Sequence, residues 1–476
     1  MKLNLQEKYK NAKNIDFLCD LKTYKGLKSS VIIPYACMLS PIFLTWVAYL
    51  FWWLFGINNS FIGFPNTFPL WLLVIGVIIF CFVDIPKIVI YIIDNKQGIN
   101  PIKRLKDGIS TYPEVLFLLL MFIWILISAF INPRSMSIRY ETFMQEGIPF
   151  YLGYVVIFVF SFLLKEKSLY EKLLIAFLIS STFAGISTII DPHGNFLLSS
   201  HNNTGWAFSM INSNHYGYFL TLAVVCSTCM FLTAKSRGIK IFAGFTFLLN
   251  SIVLIFNNTL GCLLGVLAVL ILIPIFYSIR AKKFQRIYLL PLCVFVCLTF
   301  ILTPLAPYAR PSTYKSLASQ IIGLLKDFFS VTSAPLSEEA SHAGSERWSL
   351  WLQSFEGIKE HPWFGTGDVF FKPHNEYLQH AYNFGILCLA FYLVALVIIL
   401  VKALKNLRHL SDITLTLLIS TLAYLIQAMF GNTMPHTMPF FIIFLALSIR
   451  SLNADIQQRN TNATPPKNKT HQTENI

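Results

Sequence analysis

The sequence predicts an all-α integral membrane protein with about twelve transmembrane helices and one large, partly helical extracytoplasmic loop. Three observations support this fold class. The chain is 55% hydrophobic and only 13% charged. Apolar segments of the roughly 17–25 residues that cross a bilayer recur along it. One long polar segment, 307–383, separates the ninth of these segments from the tenth. The predicted spans are 31–55, 68–93, 113–131, 148–164, 170–190, 211–232, 239–256, 259–279, 287–306, 382–401, 412–430 and 435–452.

The positive charge of the chain indicates how it crosses the membrane. A net charge of +14 is also compatible with a nucleic-acid partner. The lysines and arginines, however, concentrate in the N-terminal tail and in alternate loops, whereas the short loops on the opposite side contain only Arg134 and Arg139. Because basic loops stay in the cytoplasm, we expect both termini to be cytoplasmic and the 307–383 loop to face outwards across the cytoplasmic membrane.

The chain divides into one membrane domain and two tails. Residues 1–30 form a basic cytoplasmic lead, and residues 31–452 form the polytopic domain. Residues 453–476 are rich in Asn, Thr and Gln, which predicts a disordered cytoplasmic tail. No internal repeat is evident, which argues against a transporter built from inverted repeats.

The long loop contains signals for local structure. Ser345 is placed to cap a helix that runs to Glu360. Gly365 and Gly367 permit a tight turn after that helix. Pro373 is expected to start a second helix, which runs through His374 towards the next span. A loop of this length with these signals is usually functional.

Polar side chains from several separate segments fall on the outer side of the predicted topology. An arginine guanidinium binds phosphate through a two-pronged fork and does not lose its proton. A histidine at a helix start is favoured in its neutral form, which can take a proton from a sugar hydroxyl. Such groups suit glycosyl transfer from a lipid diphosphate. The candidates are Arg134, Arg139, His215, Asn258, Arg347, Trp351, His374 and Asn375.

In the loop, Arg347 is followed by Trp351, then by Pro362, Gly365 and Gly367, then by 374–378 (His-Asn-Glu-Tyr-Leu) and Gly385. In this order and topology the set resembles the O-antigen ligase and polymerase superfamily of bacterial envelope glycosyltransferases. The resemblance implies a C-type membrane glycosyltransferase architecture and metal-independent, inverting transfer of a glycan from undecaprenyl pyrophosphate to an acceptor, without a cofactor.

The same resemblance implies roles for the candidate residues. His374 would be the general base and Arg347 would bind the pyrophosphate. Arg139, Arg134, Asn375, Asn258, Trp351 and His215 would line the substrate site.

One stretch departs from the family pattern. The family often has Ser-Arg-Gly at the outer start of a mid-chain span, and this chain has Thr259-Leu260-Gly261 there. Three explanations stay open: Arg134 or Arg139 supplies the missing charge, the donor differs, or the activity is altered.

Other interpretations also stay open. Arg347 could anchor its helix to lipid headgroups, and His215 could bond neighbouring helices. A multi-pass transporter of a small solute or lipid-linked glycan is the alternative function, although transporters usually carry ionisable groups near mid-membrane. A non-catalytic scaffold would leave the arginine, turn and histidine unexplained. Ligase and polymerase are not separated, and neither the sugar nor the acceptor is indicated.

Overall fold

The computed structural model describes residues 28–55, 72–86, 110–132, 147–192, 206–210, 212–305, 317–335, 337–338, 342–344 and 346–462. Within these ranges the regular structure is entirely helical. The helices are α1 (Lys28–Phe55), α2 (Leu72–Asp84), α3 (Pro113–Ile131), α4 (Ile148–Leu163), α5 (Lys167–Ile190), α6 (Ser213–Thr233), α7 (Arg237–Asn257), α8 (Leu260–Ala281), α9 (Arg286–Leu305), α10 (Leu317–Ser333), α11 (Arg347–Glu360), α12 (Glu376–Phe384), α13 (Ile386–Asn406), α14 (Asp412–Ala428) and α15 (Met438–Asn462).

The predicted membrane class is confirmed. In the described part of the chain, eight helices are long and apolar enough to cross a bilayer. Four shorter apolar stretches, Ser29–Ile42, Leu72–Asp84, Ile148–Leu163 and Asp412–Ala428, coincide with the remaining predicted spans. The protein is therefore a multi-pass helical membrane protein, and the count of about twelve spans stays a prediction.

Two helices, α6 and α15, form the centre of the bundle and are almost completely buried. Helix α6 packs against α7 and α14, and α15 packs against α4 and α14. Between α5, α6 and α15 the rings of four phenylalanines pack in T-shaped or tilted pairs: Phe177, Phe219, Phe440 and Phe444. These central helices have lower hydropathy than the peripheral α13, because they face protein and not lipid and can carry polar side chains.

One end of the bundle is held by ion pairs of basic residues that the sequence assigns to the cytoplasmic side. The Nζ of Lys402 lies 2.7 Å from the buried carboxylate of Glu114. Lys167 pairs with Asp455, and Arg280 pairs with Asp412. We call this end the basic end. The opposite end, which carries residues 342–385 and the connection 429–437, is called the loop end. Which end faces the cytoplasm stays a prediction.

The last helix extends beyond its predicted end. Helix α15 continues to Asn462, so the prediction that a disordered tail begins at residue 453 is wrong. The physical reason is tertiary, because Asp455 accepts a hydrogen bond from the backbone N–H of Ser411 at 2.7 Å and pairs with Lys167. Residues 463–476 lie outside the described residues.

Candidate active site at the loop end

A glycine turn joins the two short helices of the loop, as the sequence predicts. Gly365 and Gly367 both have φ of +68°, a conformation that glycine adopts without strain. The backbone N–H of Thr366 donates to Tyr382 O at 2.8 Å, and that of Gly367 donates to Asn383 O at 3.1 Å. A Cβ on Gly365 would lie 2.4 Å from the backbone of Asn383. The turn therefore packs directly on the end of α12.

Gly385 completes this unit by ending α12 and starting α13. Its φ of +89° and ψ of 167° are almost exclusive to glycine. The adjacent Ile386 N–H donates to Pro362 O at 2.8 Å. From α3, Trp124 Nε1 lies 3.1 Å from both Trp363 O and Phe384 O. The turn thus fixes α11, α12 and α13 relative to one another.

Arg347 is the first residue of α11. The preceding Glu346 has φ of +69° and provides no side-chain cap; Ser345, the predicted cap, lies outside the described residues. The helix ends at Glu360, as predicted. Further along α11, Trp351 Nε1 donates to Pro373 O at 2.9 Å. Trp351 therefore holds this helix against the segment that carries His374.

His374 lies outside the helix that was predicted to contain it. Helix α12 begins at Glu376, and Asn375 is its N-cap, with Oδ1 accepting from Leu378 N at 3.0 Å. The prediction that Pro373 starts this helix is wrong. The Asn375 side chain caps the first turn, so the helix begins at Glu376. His374 has φ of +54°, a left-handed conformation that is uncommon outside glycine and recurs at functional sites.

Asn432, in the connection between α14 and α15, binds His374 through two atoms. The backbone N–H of His374 donates to Asn432 Oδ1 at 2.7 Å. The Nδ2 of Asn432 lies 3.3 Å from the ring Nδ1 of the same histidine. The backbone and the ring of His374 are thereby both fixed by one side chain.

The electrostatic environment keeps the His374 imidazole neutral. Burial, and then the positive charges of Arg347 and Lys372, lower the pKa of His374 from 6.5 to about 4. The predicted neutral form is therefore favoured, but its main cause is burial and not a helix dipole. The Arg347 charge also acts on Tyr218 of α6 and Cys262 of α8. Arg347 and His374 thus share a site near the N-terminal ends of α6 and α8.

Sequence reasoning missed two residues of this site, Lys372 and Asn432. The Nζ of Lys372 is shielded from solvent, and its charge acts on both His374 and His215. The signal for Lys372 was present, since a lysine two residues before a candidate histidine can reach the same ligand. The predicted topology places the polar segment from Asn432 to His436 on the same outer side, but nothing in the sequence indicates the bond to His374, which is 58 residues away along the chain.

The remaining predicted residues occupy different positions. His215 is buried and stacks on His436 with ring centroids 5.6 Å apart. Asn258 ends α7 with φ of +58°. The side chains of Trp351 and Asn375 are engaged in the loop's own hydrogen bonds. Arg134 and Arg139 lie outside the described residues.

A buried carboxylate holds helix α12 against the helices α13 and α14. Glu376 is fully buried and accepts hydrogen bonds from Tyr392 Oη at 3.3 Å and Tyr424 Oη at 3.1 Å. Tyr377 Oη donates to Leu425 O at 2.8 Å. The backbone N–H of Thr433 donates to the side chain of Gln379 at 3.0 Å. These contacts fix the helix that follows His374 against α13, α14 and the 429–437 connection.

Fold and site together define a multi-pass helical membrane protein with a cationic site, built around a neutral imidazole, at one end of its bundle. Residues 222–393 match the family model described as O-antigen ligase. This match confirms the predicted resemblance to the O-antigen ligase superfamily, and it includes the site residues from Arg347 to Gly385. It supports a general role in joining glycans at a membrane. No curated protein matches this chain.

Proposed function

We propose that this protein transfers or polymerises an oligosaccharide from undecaprenyl pyrophosphate at the outer face of the cytoplasmic membrane. One observation carries the proposal: Trp351 holds the helix that begins at Arg347 against the segment of His374, beside the glycine turn, and the charge of Arg347 helps to lower the pKa of His374. A permanent cation beside a neutral hydrogen-bonding ring suits a diphosphate leaving group next to a sugar hydroxyl.

Lys372 is the proposed second cation for the diphosphate. The family pattern has an arginine where this chain has Leu260, so one positive charge is missing there. Lys372 brings an ammonium close enough to act on His374. One charge pair at about 4 Å contributes about 4 kcal/mol at an effective dielectric constant near 20. Arg347 and Lys372 together would then offset the charge that grows on the diphosphate.

The reaction proposed for this site is a direct displacement. The acceptor hydroxyl oxygen bonds to the anomeric carbon while the bond from that carbon to the diphosphate oxygen breaks. The diphosphate keeps the electron pair, and the hydroxyl loses its proton. His374 lies beside the two cations and can bond either to the attacking hydroxyl or to the departing diphosphate. Metal independence and inversion stay predictions.

Variants of the two cations and the histidine test the proposal. In a host that lacks the chromosomal gene, plasmid copies with Arg347→Ala, Lys372→Met or His374→Ala should reduce glycan transfer about 10²-fold or more, since such losses follow removal of one preorganised charge or donor. Lipid-linked glycan, extracted and quantified by mass spectrometry, should accumulate. Lys359→Met, an exposed lysine on the same loop, is the matched control.

Two outcomes would contradict the proposal. If the gene deletion leaves both the lipid-linked glycan and the surface glycan unchanged, the protein does not use this donor. If purified protein carries lipid-linked glycan or solute across the membrane of vesicles, and His374→Ala does not affect that transport, the alternative function as a transporter is correct. Product analysis also separates the two enzyme types, because a polymerase lengthens the lipid-linked glycan and a ligase removes it.

The membrane orientation needs its own test. Single cysteines introduced by Lys359→Cys in the loop and by Lys405→Cys at the basic end both lie at exposed positions. A membrane-impermeant maleimide applied to intact cells should label only the loop cysteine above the background of the parent protein. Labelling of the basic-end cysteine alone would place the site in the cytoplasm and exclude a lipid-linked donor on the outer leaflet.

A further inference from the structure

We infer that Asn432 is a positioning residue that holds His374 as the Nε2–H tautomer, so that His374 donates a hydrogen bond to the departing diphosphate and is not the general base. This inference rests on the proposed function for its chemistry, but not for the tautomer itself. It assigns a role to the 429–437 connection and changes the role that the resemblance implies for the histidine.

The tautomer follows from which groups can donate. A backbone N–H is always a donor, so the Asn432 atom 2.7 Å from the His374 nitrogen must be the carbonyl oxygen Oδ1. The amide therefore presents its NH₂ group to the ring nitrogen Nδ1 at 3.3 Å. Nδ1 must then accept, and the single proton of a neutral imidazole is on Nε2.

The opposite tautomer would cost one of the two bonds, whichever way the amide is turned. A proton on Nδ1 would point at the NH₂ group of Asn432, and rotating the amide would turn that NH₂ group towards the backbone N–H of His374. Rotating the imidazole by half a turn would place a ring carbon against Asn432. The backbone on either side is also fixed, since Trp351 binds Pro373 O at 2.9 Å and Asn375 caps α12.

The surroundings of the ring favour an anionic partner for Nε2–H. Arg347 and Lys372 are the cations whose charges reach the ring, and both side chains only donate hydrogen bonds. Two cations and an N–H donor in one site match diphosphate oxygens, which accept only. A base in this position would need a lone pair on Nε2, and the tautomer held by Asn432 has none there.

The chemical step then balances without proton transfer to the imidazole. The acceptor oxygen bonds to the anomeric carbon, and the bond from that carbon to the diphosphate oxygen breaks with its electron pair on the diphosphate. The hydroxyl proton is released to water. His374 keeps its Nε2 proton throughout and shares it, as a hydrogen bond, with the oxygen that receives the pair.

Asn432→Asp reverses the ring bond while keeping the backbone bond. One carboxylate oxygen still accepts from the His374 N–H, and the other accepts from Nδ1–H, which leaves Nε2 with a lone pair. At pH 8.5 we expect glycan transfer to fall at least tenfold. If His374 were the general base, the lone pair on Nε2 would keep or raise the rate of transfer. Transfer at or above the wild-type level would therefore overturn the inference.

Asn212→Asp is the matched control. Asn212 caps α6, with Oδ1 accepting from Asn214 N at 2.7 Å, and a carboxylate keeps that bond while adding the same charge at the loop end. Its transfer should stay close to that of the wild type. A conservative replacement of the histidine gives a second comparison: His374→Gln supplies an amide donor and should retain several-fold more activity than His374→Ala. Equal loss in both variants would contradict a donor role.

Nitrogen NMR reads the tautomer without any activity. In protein labelled with [¹⁵N]histidine, the resonances absent from His374→Gln identify the His374 ring. We expect a protonated Nε2 and an unprotonated Nδ1 in the wild type, and the reverse in Asn432→Asp. A wild-type ring protonated at Nδ1 would overturn the inference. If the tautomer is as expected but the wild type transfers no glycan, the proposed function fails while the positioning by Asn432 stands.

Discussion

Gly385→Ala should disable the site from a distance by pushing apart the two segments that the glycine joins. A Cβ at this position would lie 1.9 Å from Trp363 O, so the carbonyl must move by about 1 Å to reach an allowed contact. The backbone conformation of Gly385 adds about 1–3 kcal/mol for any other residue, and overpacking adds about 1–3 kcal/mol. We expect a loss of about 2–6 kcal/mol in unfolding free energy. A displacement of about 1 Å near the reacting groups also lowers transfer about 10²-fold.

The assay compares thermal unfolding in detergent and glycan transfer for Gly385→Ala and Gly323→Ala. Gly323 lies in α10, and a Cβ there meets nothing within 4 Å. Alanine in that helix should be neutral or stabilising by about 0.5–1 kcal/mol, with unchanged transfer. Wild-type stability and transfer in Gly385→Ala would refute the claim that the turn and the start of α13 form one rigid support for the site. Equal losses in both variants would show that the assay responds to any substitution in the loop.

Three further predictions concern the groups buried around the site and at the basic end. Because the pKa of His374 is lowered to about 4, the unfolded chain binds a proton there between about pH 6.5 and 4 and the folded chain does not. Stability should therefore fall as pH drops through this window, His374→Gln should flatten the fall, and equal slopes would contradict the burial of the ring. Glu376→Gln should cost about 1–3 kcal/mol, measured by thermal unfolding, because its NH₂ group replaces the oxygen that accepts from one of the two tyrosine hydroxyls; an unchanged midpoint would mean that the carboxylate is not their acceptor. Lys402→Met should cost about 3–5 kcal/mol by leaving the buried Glu114 charge without its cation, whereas the exposed Lys405→Met should change little; similar effects of the two would show that the ion pair is not important for stability.

Hydropathy located the spans well but could not place every boundary. The predicted span 113–131 coincides with α3. The predicted span 382–401 instead starts inside α12, and Gly385, with φ of +89°, separates that helix from α13. A hydropathy window averages over such a break. The extension of α15 to Asn462 was missed for the opposite reason, since polar residues there are held by tertiary ion pairs.

The site was predictable as far as its residues follow one another along the chain. The turn glycines, the end of α11 at Glu360 and the order of arginine, turn and histidine are local patterns, and the structure contains each of them. The bond from Asn432 to His374 depends on how the 429–437 connection folds over the loop. A single sequence contains no information on such pairing. Arg134 and Arg139 stay predictions.

Three carboxylates at the loop end could weaken the positive charge of the site, but each of them is engaged in hydrogen bonds elsewhere. Glu376 lies two residues from His374, but its oxygens accept from two tyrosine hydroxyls beneath α12. Asp327 accepts from a backbone N–H that precedes Arg347, and Asp368 accepts from a backbone N–H in its own turn. Each of these three acids stabilises the support of the site through hydrogen bonds of its own. In the proposed function, an entering diphosphate would therefore meet the charge of Arg347 and a neutral imidazole fixed by an amide, and its affinity should not change with pH near neutrality.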